Sequence, residues 1–219
     1  MKLGIVSDIH EANQLLERAL GLFRGREVDQ VVALGDLFEI GPGLDRTVSM
    51  LAEAGAIGVY GNHDYGLAFP SDYHRERFSA PILDFMATLR DRIEVDGCLF
   101  AHREPWLDGT DVAQIWHVDE EPLTPGLLAL SFAAAPSRRA IFVGHFHRWF
   151  AADPSGPLAW DGSTPLTLPG GSTTLVVVNA VCHGYAATFD TGSGELVPLD
   201  LYEGRARPAC RPLPEGVSA

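Results

Sequence analysis

The sequence predicts an α/β fold, and three observations carry that prediction. Short apolar runs of strand type alternate with helix-type patterns through the first sixty residues. The second half is rich in short strand-like runs separated by turn residues. Between them, apolar runs repeatedly stop at an Asp, Asn or His.

Leu3-Gly4-Ile5-Val6-Ser7 reads as a buried strand. Glu11 to Phe23 follows with Leu15, Leu16, Ala19, Leu20 and Phe23 at helical spacing and stops near Gly25. Val31 to Leu34 is the second strand, Asp45 to Ala54 a helix ending at Gly55, and Ile57 to Tyr60 the third strand. A βαβαβ order implies parallel strands joined by right-handed crossovers. The three carboxyl ends then share one sheet edge, which is where open α/β sheets bind ligands.

Asp72 to Arg92 is predicted as one helix with Phe78, Ile82, Phe85, Met86 and Leu89 as its apolar stripe. Ile93-Glu94-Val95 and Cys98 to Ala101 form a hairpin turning at Asp96-Gly97. Residues 103–122 read as loop, Leu123 to Ala134 as helix and Ala140 to Val143 as strand. Further strands are expected at Trp149–Ala152, Leu158–Trp160, Thr174–Asn179, Tyr185–Phe189 and Leu196–Leu201. No linker marks a second domain, so residues 1–205 read as one domain and 206–219 as an irregular tail.

Composition excludes several classes. The 219 residues are 46% hydrophobic, ample for a core, and the longest apolar runs fall well short of a membrane helix. A net charge of −13 argues against nucleic acid as a stable partner, since such binding rests on basic phosphate contacts. Residues 1–10 do not read as a signal peptide. Cys98, Cys182 and Cys210 form no close pair and read as reduced thiols, which places the chain in the cytoplasm.

The chemistry lies in five segments: Asp8-Ile9-His10, Gly35-Asp36, Gly61-Asn62-His63-Asp64, Ala101-His102 and Gly144-His145-Phe146-His147. Alone, Asp8 or Asp36 before a helix would read as a cap, Gly61-Asn62 as a turn, and His102 as a satisfied core histidine. Together they supply seven ligands at strand ends: Asp8, His10, Asp36, Asn62, His102, His145 and His147. Carboxylates, imidazoles and one amide suit two first-row divalent ions, manganese first, with iron, nickel or zinc also accepted. Asp36 is the natural bridge, because a carboxylate can give one oxygen to each cation. His74, His117 and His183 lack such a context and read as ordinary.

The ordered set D-x-H, G-D, G-N-H-D, H and G-H-x-H resembles the calcineurin-like metallophosphoesterases over residues 8–147. Chain length and the Gly41-Pro42-Gly43 after Asp36 are similar to their small bacterial phosphodiesterase branch. The resemblance implies a four-layer αββα sandwich. Asp8, His10, Asp36 and His147 would hold one ion, and Asp36, Asn62, His102 and His145 the other. His63 and Asp64 would be the catalytic pair, His63 facing the substrate and Asp64 orienting it. His102-Arg103-Glu104-Pro105 and Val178-Asn179-Ala180-Val181 depart from that branch without touching a ligand.

The implied reaction is hydrolysis of a small phosphate ester, most simply a phosphodiester, by in-line attack of a metal-bridging hydroxide. His63 would protonate the leaving alkoxide, and Arg103 would contact a substrate phosphate or form a surface salt bridge. A phosphomonoester or phosphoprotein phosphatase of the same fold is the first alternative, although Gly35 to Gly41 contains no Arg to grip a monoester. A lipid-precursor pyrophosphatase shares the look of Gly35-Asp36-Leu37-Phe38-Glu39 but tends to carry Arg where this chain has His63. A dinucleotide-dependent oxidoreductase would need a Gly-rich turn where Ser7-Asp8-Ile9-His10-Glu11 stands. A non-catalytic metal-binding module would be expected to have lost ligands, and none is missing.

Overall fold

The computed structural model describes residues 1–117 and 123–204. The expected tail over 206–219, Cys210 and the end of the 103–122 loop lie outside the described residues. Among these residues, the strands form two six-stranded mixed sheets.

The first sheet is built on β1 (Lys2–Val6), β2 (Gln30–Ala33) and β3 (Ile57–Gly58), which run parallel. They are joined through α1 (Asn13–Gly25) and α2 (Leu44–Glu53). The chain then runs through α3 (Tyr65–Ala68), α4 (Asp72–Arg77) and α5 (Ala80–Met86) into the second sheet. That sheet opens with the hairpin of β4 (Arg92–Val95) and β5 (Cys98–Ala101), whose turn residues Asp96 and Gly97 take φ of 46° and 77°. Positive φ at both positions is what a tight two-residue hairpin turn requires. After α6 (Val112–Ile115) and α7 (Pro125–Ala134), β6 (Ala140–Val143) pairs parallel to β5. β7 (Phe150–Asp153), β8 (Gly156–Pro157) and β10 (Thr174–Val177) complete the sheet. The chain then returns to the first sheet, where β11 (Tyr185–Asp190) and β12 (Glu195–Asp200) sit between β1 and the short β9 (Leu166–Thr167).

Strand alternation sorts the core into layers. Leu3, Ile5, Val32 and Leu34 of the first sheet pack with Phe100, Phe142, Val176 and Phe189 in one buried cluster between the sheets. The intervening positions face outward: Val6, Val31 and Ala33 meet Leu16, Phe23, Val48 and Leu51 of the helices, and Leu99, Ile141, Val143 and Leu175 meet Leu128 of α7. A period of two along each strand is enough to separate inner from outer faces. The result is the four-layer αββα arrangement. No helix among the described residues is long and apolar enough to cross a membrane.

The expected loop over 103–122 carries the short helix α6, capped by the Asp111 side chain on the Ala113 N–H, and three expected elements differ. The predicted helix over Asp72 to Arg92 is two helices, because Pro81 in the first turn of α5 requires a fresh start and Ser79 is extended at ψ 153°. The third strand is cut short where Val59 bridges to Arg90 and Tyr60 donates to the Arg90 carbonyl, so the chain changes neighbour. Leu158–Trp160 is not a strand: Trp160 N–H turns back to the Leu158 carbonyl and ends the β7–β8 pairing.

Candidate active site

Asp8 and His10 leave β1, Asp36 leaves β2, Asn62 follows β3, His102 leaves β5, and His145 and His147 leave β6. The main chain at these exits is unusual. Asp8, His10, Asp36, His145 and His147 have φ of 49°, 43°, 52°, 65° and 49°, all in the left-handed region. For residues other than glycine this costs roughly 1–3 kcal/mol each and persists only where the surroundings over-determine it. Here hydrogen bonds between the segments do so. Asp8 N–H donates to the Gly35 carbonyl at 3.0 Å and His10 N–H to the Asp36 carbonyl at 2.9 Å. The Asp8 carboxylate accepts the His145 N–H at 3.0 and 3.2 Å. Gly61 is needed for a different reason: a Cβ there would lie 2.0 Å from Oδ1 of Asp36.

The seven expected ligand side chains converge. Oδ2 of Asp36 lies 3.7 Å from Nε2 of His10 on one side and 3.4 Å from Nε2 of His102 on the other. Nε2 of His147 is 3.2 Å from Oδ1 of Asp8 and 3.3 Å from Nε2 of His10. Oδ1 of Asn62 is 3.1 Å from Nε2 of His102 and 3.1 Å from Nδ1 of His145. Three ligand-type groups result: Asp36 with His102 and His145, Asp36 with His10 and His63, and His10 with His147 and Cys182.

The donor chemistry fits cations. Nδ1 of buried His102 is 2.7 Å from the Leu34 carbonyl and must carry the proton there, so the neutral ring turns a lone pair on Nε2 toward the site. That lone pair meets Oδ2 of Asp36 and Oδ1 of Asn62, which can only accept. Three acceptors in mutual contact are satisfied by a cation or an added proton. Burial alone would lower His102, but Asp36, by charge and hydrogen bond, drives it up to about 9. His147 is also pulled down by burial yet reaches about 10, through Asp8 and Cys182. Burial raises Asp36, and the charges of His102, His10 and His63 outweigh it, holding the carboxyl well below the usual range. His145 falls to about 2, from burial and then the charges of His102 and Arg103.

His63 sits at the same rim, its ring edge-on to His10 with centroids 4.9 Å apart. Its nitrogen also falls within 4.8 Å of donor atoms on His10 and Asp36. The expected role of Asp64 needs correction. Its fully buried carboxylate accepts the main-chain N–H groups of Leu37, Phe38 and Gly61 at 3.0–3.2 Å. Asp64 therefore ties the two ligand loops together through the backbone rather than orienting the His63 ring. Burial and the Asp36 charge push its carboxyl up to about 6 against the pull of those donors. Arg103 is neither a surface residue nor a phosphate contact: it is buried, donates to the Ile115 and His117 carbonyls, and pairs with buried Glu104.

Four neighbours were not anticipated. Oε2 of Glu39 approaches Nδ1 of His10 at 2.8 Å, an ion-pair distance that falls off the line of a hydrogen bond, and a carboxylate there turns Nε2 inward. Glu11 accepts the N–H groups of Glu39, Gly41 and Gly43 and so fixes the loop after Asp36. Cys182 and His183 both lean on His147, the thiol 4.0 Å from Nδ1 and the second ring at a 4.9 Å centroid separation. Only the Glu39 carboxylate, three residues past Asp36, had a sequence signal that could have flagged it.

Residues 1–180 match the calcineurin-like phosphoesterase superfamily domain. A metallophosphoesterase from Sphaerobacter thermophilus has a similar fold, with a TM-score of 0.73 at 21% identity over 90% of this chain and 86% of that one. A structure described as a novel archaeal phosphodiesterase aligns with a TM-score of 0.55 at 16% identity, over 91% of this chain and 99% of that one. An uncharacterized protein of Methanocaldococcus jannaschii is 29% identical over 65 residues, so the match spans only 27% of that relative's length and 30% of this chain.

Proposed function

The chain belongs to the calcineurin-like phosphoesterase superfamily, whose members are metal-dependent phosphoesterases, and on that premise we propose that it hydrolyses phosphodiesters at a dinuclear centre. The observation that carries this reading is the position of one Asp36 oxygen between His10 and His102, with ligand-type side chains gathered on both sides. Asp8, His10, Asp36 and His147 would hold one ion, and Asp36, Asn62, His102 and His145 the other. Divalent ions there supply Lewis acidity toward the phosphoryl oxygens and a water acidified to near neutrality. Manganese is our first expectation, and iron, nickel or zinc suit the same donors.

The chain's own residues do the rest. His63 hands a proton to the departing oxygen, which an imidazole can do near neutral pH. The Asp36 carboxylate holds the His63 main chain, and Asp64 holds Leu37 just after Asp36 and Gly61 just before Asn62. The preference for a diester rests on charge. A phosphomonoester brings an additional negative charge that related phosphatases meet with a guanidinium, whereas Arg103 is buried with Nε on Glu104 and Nη1 on two backbone carbonyls. The substrate we propose is a small phosphate ester handled by a single domain over residues 1–205, in the cytoplasm, without nucleic acid as a stable partner. Initial rates on bis(p-nitrophenyl) phosphate and p-nitrophenyl phosphate test the choice. Faster turnover of the diester supports the reading, and faster turnover of the monoester assigns the chain to the phosphatases.

A further inference from the structure

We propose that Trp116 is a stacking platform for a planar aromatic group, of the kind a nucleobase provides, on the departing alcohol of the substrate, and that Arg103 is the residue that positions it. The proposal rests on the reading of His63 as the leaving-group acid.

A single exposed indole needs no explanation in itself. Trp116, however, is 51% exposed and its ring lies 5.3 Å from that of His63, tilted by 47°. His63 in turn sits edge-on to His10 at 4.9 Å. His63 is thus in ring contact with His10 of the ligand cluster and with the exposed indole of Trp116. An alcohol that receives a proton from His63 carries its substituent beside that ring, and the indole is an exposed aromatic surface in contact with it. Stacking on an indole is indifferent to which base is presented, because every base has a π-face.

The loop that carries Trp116 is held from beneath. Nη1 of Arg103 donates to the Ile115 carbonyl at 3.2 Å and also to the His117 carbonyl, the two residues that flank Trp116. Nε of Arg103 donates to Oε2 of Glu104 at 3.3 Å, and the two side chains are 6% and 2% exposed. A buried guanidinium is expensive unless it is paired, and here Nε meets Glu104 while Nη1 meets the backbone on either side of one solvent-facing ring. Arg103 directly follows His102, so the clamp is anchored on the strand end that carries a candidate ligand. Tyr60 and Tyr65 fix the earlier part of the loop through the Gly109 and Thr110 carbonyls at 3.2 and 2.7 Å. A platform fixed before binding loses little freedom when a ligand stacks on it.

The test is calorimetric binding of AMP and of ribose 5-phosphate to the manganese-loaded full chain, with metal content measured on each sample. These probes share the phosphoribosyl group and differ by the base. The wild type should bind AMP roughly tenfold more tightly, the scale expected for one stacked base. Trp116→Ala should abolish that advantage while leaving ribose 5-phosphate affinity in place, and Trp116→Phe should keep most of it. Arg103→Met should also erode the advantage with the indole still present, whereas a merely structural defect would weaken both ligands alike. Equal affinity of the wild type for the two probes, or an undiminished advantage in Trp116→Ala, overturns the platform while leaving the phosphoesterase reading intact. Failure of AMP to bind a metal-loaded sample that turns over bis(p-nitrophenyl) phosphate overturns the platform alone, and absence of that turnover overturns the phosphoesterase reading and the platform with it. Trp116 is exposed, so its variants decide the matter even if the Arg103 variant does not fold.

Discussion

The main-chain N–H of His63 donates to Oδ1 of Asp36 at 3.0 Å. One carboxylate thus fixes the candidate acid with one oxygen and faces His10 and His102 with the other. Proton delivery and metal binding are tied to the same side chain.

His63→Gln should retain both ions and lose about 10²–10⁴-fold in kcat, the usual scale for a removed acid or base. The loss should shrink for esters with a nitrophenolate leaving group, which needs little protonation. An equal loss across leaving groups of different basicity would show that His63 orients the phosphate or a water. Loss of an ion in elemental analysis would make it a ligand, as its proximity to His10 and Asp36 also allows.

Asp36→Asn should weaken both metal sites, because an amide oxygen cannot share negative charge between two cations. His147→Ala should mainly empty one, since its contacts are with Asp8 and His10 on a single side of Asp36. Two ions held at unchanged affinity by Asp36→Asn would remove the bridging assignment.

Metal uptake should release protons and strengthen with rising pH to about pH 9 or beyond. Ligating imidazoles must be deprotonated, and His102 and His147 sit at about 9 and about 10 under the influence of Asp36 and Asp8. Both values are raised, so in metal-free protein these imidazolium groups stabilise the fold fully below the unfolded-state value of about 6.5. That contribution disappears as pH climbs through about 9 and about 10. Titration calorimetry in buffers of different ionisation enthalpy measures the released protons. An affinity that stops rising near neutrality would contradict the raised values.

Asp64→Ala should destabilise the protein by about 3 kcal/mol or more, since it leaves the buried N–H groups of Leu37 and Gly61 and the part-buried one of Phe38 without their acceptor. Denaturant unfolding of the metal-free protein reads this directly. A variant of unchanged stability but altered leaving-group dependence would return Asp64 to the role of orienting His63.

The parts of the fold that were legible in the sequence are those with local signals. The continuous apolar runs of β1, β2 and β6 and the Asp96-Gly97 turn each lie within a few residues of what they specify. The strand-end position of five of the seven expected ligands, Asp8, His10, Asp36, His145 and His147, followed from those runs. What escaped depends on partners far along the chain. Asp64 is sequentially beside His63, yet the Leu37 and Phe38 N–H groups it accepts lie 27 and 26 residues away and leave no trace in residue type. Arg103 carried a charge that reads as surface, and only the fold brings the Ile115 and His117 carbonyls to it. The break at Pro81 was a local signal, outweighed in the reading by an apolar stripe that continued across it.

The central claim is that activity requires two ions held around Asp36. The most direct measurement is turnover of bis(p-nitrophenyl) phosphate by chelator-stripped protein during stepwise addition of Mn²⁺, with bound metal quantified at each step. The stripped protein should be inactive, and activity should appear as occupancy approaches two ions per chain. Full activity in excess chelator, after verified metal removal, would contradict it.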